Sequence, residues 1–269
     1  MRLTLVTNPD KCNLRCPLCF LNQRGRAFGK GEMPWTVAKA AIDRVKPFEV
    51  IPSTMGEPLL YTYFENLLDY CAGQGVALNL TTNGSFPGVW GSEAGMGRLL
   101  LACRDIKVSC MGFDETTFNE MMPGIAFERW RGNVERLLSL RRQGTVSLQV
   151  TLHRKMLASV ADLLRWAEGV NVDRVKWNLP VFLGCGERLR EAYGIDEKMI
   201  GELREIVRSS KVRSEGSLFI IGKVPKPCNL FENDIWVMPD GTEEHCPNPE
   251  RRFGDPASAG ATCEKCVLF

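Results

Sequence analysis

Three cysteines stand close together near the start of the chain, at Cys12, Cys16 and Cys19. Three thiolates in one loop can hold three corners of a cubic iron–sulfur cluster. Because no fourth cysteine lies nearby, one iron keeps an open position, as in catalytic rather than structural metal sites. The alternative is a structural zinc site, which needs four ligands and more often shows paired Cys-x2-Cys units. The spacing therefore predicts a catalytic iron–sulfur site.

A second set of cysteines lies late in the chain and has four members. They are Cys228, Cys246, Cys263 and Cys266. Four thiolates complete the coordination of a metal centre, so this set predicts a second, closed site. Cysteine-only ligation does not separate iron from zinc, and a structural zinc ribbon stays open as the alternative.

The elements that position these cysteines follow an alternating pattern of short β-branched runs and longer amphipathic runs. Six strand–helix units favour a parallel sheet with helices outside it. A closed barrel needs about 250 residues, so six units predict a partial (βα)6 TIM-like barrel in an α/β protein. The predicted strands are Leu3–Thr7, Phe48–Ser53, Val76–Thr82, Asp105–Ser109, Val146–His153 and Arg174–Asn178. Helices are predicted from near Pro34 and over Tyr63–Gly73, Arg129–Gln143, Leu157–Glu168 and Asp196–Ser209.

A linker at residues 222–227 separates this barrel from a small cysteine-rich appendage. We predict a barrel domain over residues 1–222 and a C-terminal domain over residues 223–269. Within the latter, Ile235–Met238 and Thr242–His245 flank a Pro-Asp-Gly turn, which predicts a β-hairpin.

Polar motifs stand at the ends of four successive strands, where parallel α/β barrels collect their functional groups. The cysteine loop follows the first strand, and Met55–Pro58 follows the second. Thr81–Gly84 ends the third, while Ile106–Ser109 and then a Gly-Phe-Asp segment follow the fourth. Gly56–Pro58 or Thr82–Gly84 alone would be interpreted as an ordinary surface turn, but together with the cysteines these segments indicate a shared site.

Together these motifs resemble the radical S-adenosylmethionine superfamily. Cys-x3-Cys-x2-Cys after a first strand is the signature of that family, and Phe20 matches the aromatic residue that follows it. Met55-Gly56-Glu57-Pro58 is similar to the family's Gly-Gly-Glu-Pro motif, with Met55 in place of the first glycine. The resemblance implies a 4Fe–4S cluster on the first three cysteines, with S-adenosylmethionine bound beside it. The residues implied to bind the cofactor are Phe20, Gly56, Glu57, Pro58, Asn83, Ser109 and Gln149.

The C-terminal cysteines resemble the opening of a SPASM domain, shortened to the Twitch form. That resemblance implies one auxiliary 4Fe–4S cluster on the four late cysteines, and hence two clusters in all. Such auxiliary clusters often accept an electron from a substrate radical, so the resemblance implies a net oxidation. An external electron donor such as flavodoxin or ferredoxin is implied as a partner.

By the same resemblance, a 5′-deoxyadenosyl radical would abstract hydrogen from the substrate. A small molecule such as an aminocyclitol or sugar is favoured, because with eleven residues before Cys12 we expect no N-terminal peptide-recognition domain. Modification of a ribosomal peptide or protein side chain is one alternative, and a redox-neutral lyase or mutase reaction is another. A metal-stabilised binding scaffold without enzymatic activity is a more distant alternative.

Strand alternation places polar side chains on one face of the fifth and sixth strands. Ser147, Gln149, Thr151 and His153 share that face of the fifth strand, opposite Val146, Leu148, Val150 and Leu152. On the sixth, Lys176 and Asn178 lie opposite Val175 and Trp177. Candidate catalytic or substrate-contacting residues are therefore Lys176, Asn178 and His153. Plain solvent exposure is equally compatible with Lys176 and Asn178, and we expect His153 to be a capping or surface histidine.

Composition narrows the class of protein. The 269 residues carry a formal charge of +2 without a basic tract, which argues against nucleic acid as a partner. We expect no membrane span and no secretion signal, hence a cytoplasmic protein. An odd count of eleven cysteines argues against a disulfide framework. Of the cysteines outside the motifs, Cys71 and Cys103 are expected to be buried small hydrophobes, and Cys110 and Cys185 to lie nearer the strand ends.

Overall fold

The computed structural model describes residues 1–24, 29, 31–52, 55–182, 188–219 and 234–244. Its strands are β1 (Arg2–Leu5), β2 (Glu49–Pro52), β3 (Ala77–Thr82), β4 (Cys103–Cys110), β5 (Thr145–Thr151), β6 (Arg174–Asn178), β7 (Ser214–Glu215), β8 (Asp234–Val237) and β9 (Glu243–Glu244). Its helices are α1 (Phe20–Arg24), α2 (Trp35–Val45), α3 (Phe64–Gly73), α4 (Glu93–Ala102), α5 (Glu115–Met121), α6 (Phe127–Leu140), α7 (Val160–Gly169), α8 (Arg190–Tyr193) and α9 (Glu197–Arg208). Among these described helices, none has the length and apolar character needed to cross a bilayer.

All six predicted strands are present, each followed by at least one helix. They make a mostly parallel α/β sheet with helices, which confirms the predicted fold class at that level. Four of the described helices were not predicted: the short helices α1 and α8, α4 between β3 and β4, and α5 after β4. The chain divides into two compact units, and it passes from one to the other inside β3, after Asn79.

The first unit contains residues 1–12, the described residues of 26–79, and strands β8 and β9. Its strand order is β3-β2-β1-β8-β9, parallel except for the last pair. Buried apolar residues of the strands and helices form its core, because alternate side chains of each strand point to one face. They include Leu3, Leu5, Val50, Leu67 and Leu78.

Strands β8 and β9 form the predicted hairpin, with the turn closed by a hydrogen bond from the Gly241 N–H to the Met238 carbonyl (2.9 Å). Sequence patterning did not predict that β8 also pairs in parallel with β1. Arg2 holds this pairing by donating Nε and Nη2 to the two carboxylate oxygens of Asp234, both at 2.7 Å. The predicted domain boundary at residues 222 and 223 and the cysteines of the appendage lie outside the described residues.

The second unit contains residues 13–25 and 80–220, so far as they are described. Strands β4, β5, β6 and β7 are parallel neighbours in that order. Five aromatic side chains pack against one another beside them, with ring centroids 5.0–6.4 Å apart. These are Phe113, Phe118, Phe127, Trp130 and Trp166. Such large apolar side chains supply much of the burial that stabilises a domain.

Candidate functional site

The loop that carries Cys16 and Cys19 is fixed to the start of α1 by several hydrogen bonds. The Cys19 N–H donates to the Cys16 carbonyl (3.1 Å), and Asn22 Nδ2 donates to the same oxygen (2.7 Å). Gln23 Nε2 donates to the Leu18 carbonyl between the two cysteines (2.8 Å). These bonds satisfy the Cys16 and Leu18 carbonyls within the loop, and they fix the backbone between the two cysteines.

Burial raises the pKa of the Cys19 thiol, although hydrogen bonds from the backbone of Leu21 and Asn22 act in the opposite direction. A thiol in this setting is poorly ionised by itself, and coordination to a metal would deprotonate it outright. The local environment therefore suits a ligand that brings its own positive charge.

Cys12 directly follows a segment of the first unit, Asn8–Lys11, that is hydrogen-bonded to the Gly56-Glu57 motif. The Glu57 N–H donates to the Lys11 carbonyl (2.9 Å). Asn8 Nδ2 donates to the carbonyls of both Glu57 (2.7 Å) and Lys11 (3.2 Å). The predicted cofactor-binding motif is thus joined directly to the residues that lead into the first cysteine.

Glycine is required at position 56 for two reasons. Its φ of +75° lies in the left-handed region that side chains disfavour. A Cβ there would lie 2.1 Å from the carbonyl oxygen of Asn8 and 2.8 Å from that of Lys11. The close approach of the two backbones is therefore possible only with glycine.

Glu57 and Pro58 begin a 3-10 turn over Pro58–Leu60. The Glu57 side chain is buried, and its Oε1 accepts a weak hydrogen bond from the Leu59 N–H (3.3 Å). This carboxylate caps the turn in the structure, and its predicted contact with the cofactor amino group stays a prediction.

Within the second unit, Asn83 is connected to the cysteine loop by a hydrogen bond to Asn13. Asn83 Nδ2 donates to Asn13 Oδ1 (2.8 Å), and Asn13 Nδ2 donates to Ser85 Oγ (3.0 Å). The Ser85 N–H in turn donates to Asn83 Oδ1 (2.9 Å). The strand-end motif and the residue after Cys12 are therefore fixed to each other by side-chain amides. Sequence reasoning did not single out Asn13 or Ser85.

Three of the predicted site residues occupy one row across the sheet of the second unit. Ser109 on β4 is the register partner of Gln149 on β5, which is the partner of Lys176 on β6. Asn178 lies two residues further toward the carboxyl end of β6, and its register partner on β5 is Thr151. All of these side chains are half-buried, whereas the alternate residues Val108, Leu148 and Val175 are fully buried on the other face. The predicted polar face therefore exists, with its candidate residues adjacent.

Toward the amino ends of the same strands lies a buried ionic network around Asp105. Its carboxylate accepts hydrogen bonds from Thr145 Oγ1 (2.7 Å) and Ser147 Oγ (2.8 Å), and it pairs with Lys107 (3.1 Å) and Arg174. Arg174 Nε also donates to Ser147 Oγ (3.1 Å). Arg174 also pairs with Glu215 (3.6 Å), so these groups bond to one another below the candidate site and we assign them a structural role.

His153 is fully buried, which corrects the expectation of a capping or surface histidine. It stands at the start of a 3-10 turn without making a capping bond, and its Nε2 contacts the Met111 carbonyl at 2.9 Å. Because a carbonyl only accepts, Nε2 carries the proton and Nδ1 carries the lone pair. Among the described residues, Nδ1 has no hydrogen-bond partner. The ring of Tyr193 packs edge-on against it, at a centroid distance of 6.0 Å.

Burial lowers the pKa of His153, outweighing the Met111 hydrogen bond and the nearby Glu120, which raise it. The unfolded chain takes up a proton near pH 6.5 while the folded chain does not, so stability falls as the pH drops below about 6.5. His153→Gln keeps a donor for the Met111 carbonyl but cannot be protonated. We expect it to reduce the slope of the free energy of unfolding against pH, in this range, by up to about 1.4 kcal/mol per pH unit. Urea unfolding of the wild type and the variant between pH 5 and pH 8 measures this slope. Equal slopes in the two proteins would contradict a lowered pKa for His153.

A cleft of about 280 Å³ opens beside the carboxyl ends of β5 and β6 in the second unit. Its lining is Arg154, Leu179, Pro180, Phe182, Arg190, Gly194, Ile195, Asp196 and Ile200. Phe182 also packs against Leu18 of the cysteine loop. Gln23, which bonds to Leu18, donates its Nε2 to the Val181 carbonyl as well (2.9 Å). One wall of the cleft is therefore bonded to the loop that carries Cys16 and Cys19.

The cysteine loop suits a cubic cluster in its donor chemistry. Cys12, Cys16 and Cys19 are thiols rather than disulfide partners, with Cys16 buried and the other two half-buried. Within the described ranges, no three histidine, cysteine, aspartate or glutamate side chains are grouped closely enough to hold a metal ion. Ligation of a cluster by these three thiols stays a prediction. Cys228, Cys246, Cys263 and Cys266 lie outside the described residues.

The remaining described cysteines behave as buried apolar side chains. Cys71, Cys103 and Cys110 are all buried, as predicted for the first two. Burial raises the pKa of Cys71 and of Cys110 to about 12, so neither is a thiolate at neutral pH. Cys110, at the end of β4, is therefore not a reactive thiol. Cys185 lies outside the described residues.

Comparison with known proteins supports the fold. In fold, the chain is similar to SuiB from Streptococcus suis bound to S-adenosylmethionine, with a TM-score of 0.70, 16% identity, and coverage of 99% of this chain and 70% of SuiB. Against a second SuiB structure it spans 60% of that chain. It is also similar to a radical SAM methyltransferase from Sphaerobacter thermophilus (TM-score 0.55, 16% identity, 79% and 65% coverage).

No curated protein has a significant sequence match to this chain. The family model of the radical SAM superfamily matches residues 9–167, which include the cysteine loop and the motifs at the ends of β2, β3 and β4. The chain therefore belongs to the radical SAM superfamily.

Proposed function

We propose that this protein oxidises a hydroxyl-bearing small molecule, such as a sugar or an aminocyclitol, by radical chemistry. Cys12, Cys16 and Cys19 would hold a 4Fe–4S cluster whose open iron binds S-adenosylmethionine. When bound, that pair supplies a 5′-deoxyadenosyl radical as the hydrogen-abstracting agent. The protein's own part is to bind, orient and exclude water, since the demanding chemistry belongs to the cofactors.

The observation that carries this proposal is the way the cysteine loop is fastened to the strand-end motifs. Before Cys12, the Asn8–Lys11 segment is hydrogen-bonded to Gly56-Glu57 through Asn8 and the Glu57 N–H. After Cys12, Asn13 is hydrogen-bonded to Asn83 and Ser85. A surface turn needs no such fastening, whereas a catalytic centre needs its binding groups held in place.

Within the second unit, the row formed by Ser109, Gln149 and Lys176 would bind the cofactor and substrate. Ser109 and Gln149 offer hydrogen bonds to the sugar or carboxylate of S-adenosylmethionine. Lys176 and Asn178 would contact substrate hydroxyls from β6. The cleft of about 280 Å³ beside this strand is of a size for a small molecule and supports that substrate class.

The proposed reaction removes two electrons and two protons from a carbinol carbon. One hydrogen atom would leave in 5′-deoxyadenosine, the hydroxyl proton would go to solvent, and the second electron would need an acceptor. Cys228, Cys246, Cys263 and Cys266 would hold a second 4Fe–4S cluster as that electron acceptor. A zinc ribbon at these cysteines would instead leave the reaction redox-neutral, as in a lyase or mutase.

Anaerobic reconstitution of the full chain tests the proposal. We expect about eight irons per chain with two 4Fe–4S clusters and about four with zinc at the second site. Reduced with dithionite or flavodoxin, the protein should release 5′-deoxyadenosine, and mass spectrometry of a turned-over sugar should show loss of two hydrogens. Cys16→Ala should lose this activity, whereas the buried control Cys71→Ala should retain it. An iron-loaded, reduced protein that leaves S-adenosylmethionine intact with every candidate substrate would refute the proposal.

Peptide modification is the second candidate, because one structure similar to this chain is SuiB bound to its precursor peptide SuiA. That structure is 16% identical and the chain spans 59% of it, so the likeness reaches the fold and no further. Incubation with peptides beside sugars separates the two candidates, since only the true substrate class should be consumed with 5′-deoxyadenosine release. A product of unchanged mass would favour the lyase or mutase alternative.

A further inference from the structure

We propose that the cleft beside β5 and β6 recognises an anionic group, a phosphate or carboxylate, on the substrate. Arg154 and Arg190 would bind that group, and the apolar wall would cover the rest of the molecule. This inference rests on the proposed function and narrows its substrate class.

Arg154 follows β5 directly after the buried His153. Its Nε donates to the Gly194 carbonyl (3.2 Å), which holds the side chain at the cleft. Within the described part of the chain, no carboxylate forms an ion pair with this guanidinium. Its terminal N–H groups are therefore available for the two-pronged hydrogen bonding that arginine makes to carboxylates and phosphates.

Arg190 reaches the same cleft from the start of α8. Its guanidinium lies 4.9 Å from the centroid of the Phe182 ring, a cation–π contact that orients the planar group. Phe182 is itself buried, so it offers Arg190 a rigid surface. Two arginines from different elements thus line one cleft, each held by a separate contact.

Asp196 is the acidic member of the lining, and its carboxylate is already engaged. Oδ1 accepts the Met199 N–H (2.9 Å) and caps the start of α9. Among the lining residues that the structure describes, two are basic and one is acidic. A cationic ligand such as an aminocyclitol would meet net repulsion here, whereas an anionic sugar would be attracted.

The cleft lies beside the candidate catalytic loop. Phe182 packs on Leu18, which lies between Cys16 and Cys19, and Gln23 hydrogen-bonds to both Leu18 and Val181. A group bound by the arginines would rest against the wall that touches this loop. The anion would thus position the remainder of the substrate toward the cysteines, so the arginines are positioning and specificity residues.

The test measures binding of four probes to the anaerobically reconstituted full chain with S-adenosylmethionine present. These are glucose 6-phosphate, glucuronate, glucose and glucosamine, titrated calorimetrically. We expect at least one of the two anions to bind about tenfold or more tightly than glucose, with glucosamine the weakest. Which anion binds more tightly distinguishes a phosphate from a carboxylate site. Added salt should weaken the anion and leave glucose unchanged.

Arg154→Gln and Arg190→Gln should each weaken binding of the preferred anion by about fivefold, without changing glucose binding. Arg165→Gln, at an exposed arginine of α7 outside the cleft lining, is the matched control and should change nothing. Anions that bind no better than glucose, or a preference that survives both substitutions, would overturn the inference. Failure of all four probes to bind would overturn it as well.

Release of 5′-deoxyadenosine by the same preparations separates this inference from the proposed function. If the wild type cleaves S-adenosylmethionine and shows no anion preference, the inference alone fails. If it prefers anions and never cleaves S-adenosylmethionine, the proposed function fails and the anion site stands as a binding site.

Discussion

Replacing Gly56 with alanine is expected to lower the free energy of unfolding by about 3 kcal/mol or more and to abolish S-adenosylmethionine cleavage. The added Cβ would stand 2.1 Å from the Asn8 carbonyl oxygen, so one of the two backbones must move. Because the Asn8–Lys11 segment leads into Cys12, its displacement also shifts the first predicted cluster ligand. Denaturant unfolding and 5′-deoxyadenosine release measure the two effects.

Gly75→Ala provides a matched control in the same unit. Gly75 also has a positive φ, +66°, but a Cβ there meets nothing within 4 Å. The conformational cost alone is about 1 kcal/mol, and cleavage should be retained. Equal losses in the two variants would show that backbone conformation, rather than the close approach to Asn8, determines the effect.

Asp105→Asn should lower the free energy of unfolding by about 2–4 kcal/mol, because it removes the buried carboxylate that pairs with both Lys107 and Arg174. The side chains of Lys107 and Arg174 are 13% and 23% exposed, which keeps the loss below that of a fully buried pair. Asp162→Asn, at an exposed ion pair with Arg165, should cost at most about 0.5 kcal/mol.

The same carboxylate makes the effect depend on pH. Burial alone would raise the pKa of Asp105, but Lys107 and the hydrogen bonds from Thr145 and Ser147 outweigh it and lower the pKa. A lowered carboxyl pKa stabilises the fold above the unfolded value of about 3.9, and that stabilisation is lost as the pH falls through the folded value. The difference between wild type and Asp105→Asn should therefore shrink below about pH 4. A difference constant from pH 7 to pH 3 would contradict this account.

Strand positions were predictable because buried parallel strands leave a strong local pattern. The alternation of Val175 and Trp177 with polar residues predicted a strand over Arg174–Asn178, and the structure has that range. Helix α4 escaped prediction because Gly95 and Gly97 lower helix propensity by about 1 kcal/mol each. Gly95 is there for packing, since a Cβ would meet the Val89 carbonyl oxygen at 2.2 Å. Tertiary contact overrides local propensity at that position.

Helix α5 did leave a readable signal. Asp114 caps it by accepting the Thr117 N–H at 2.8 Å, and a capping aspartate before Glu115 is an ordinary helix start. Sequence patterning indicates only a strand-end motif at these residues. His153 shows the opposite case, because its burial depends on Tyr193, which lies forty residues further along the chain. The residues next to His153 in the sequence do not indicate that Tyr193 will pack against it.

The sequence predicts some parts of the candidate site and not others. Spacing predicted the cysteine loop, and alternation predicted the polar row of Ser109, Gln149 and Lys176. The bonds that fasten the loop join residues far apart in sequence, such as Asn13 and Ser85, which are separated by 72 positions. The arginine-lined cleft likewise draws its residues from separate elements. Only the folded chain brings these groups together.

The pairing of β1 with β8 has a consequence for biosynthesis. Arg2 and Asp234, which join these strands, are 232 positions apart. A ribosome adds about 5–20 residues per second, so the first strand made waits roughly 10–50 s for this neighbour to be translated. During that interval one edge of β1 stays open to other chains, an aggregation hazard that chaperones would have to cover. The β2 edge of β1 would be paired long before the β8 edge, which could close only after residues 234–237 have been translated.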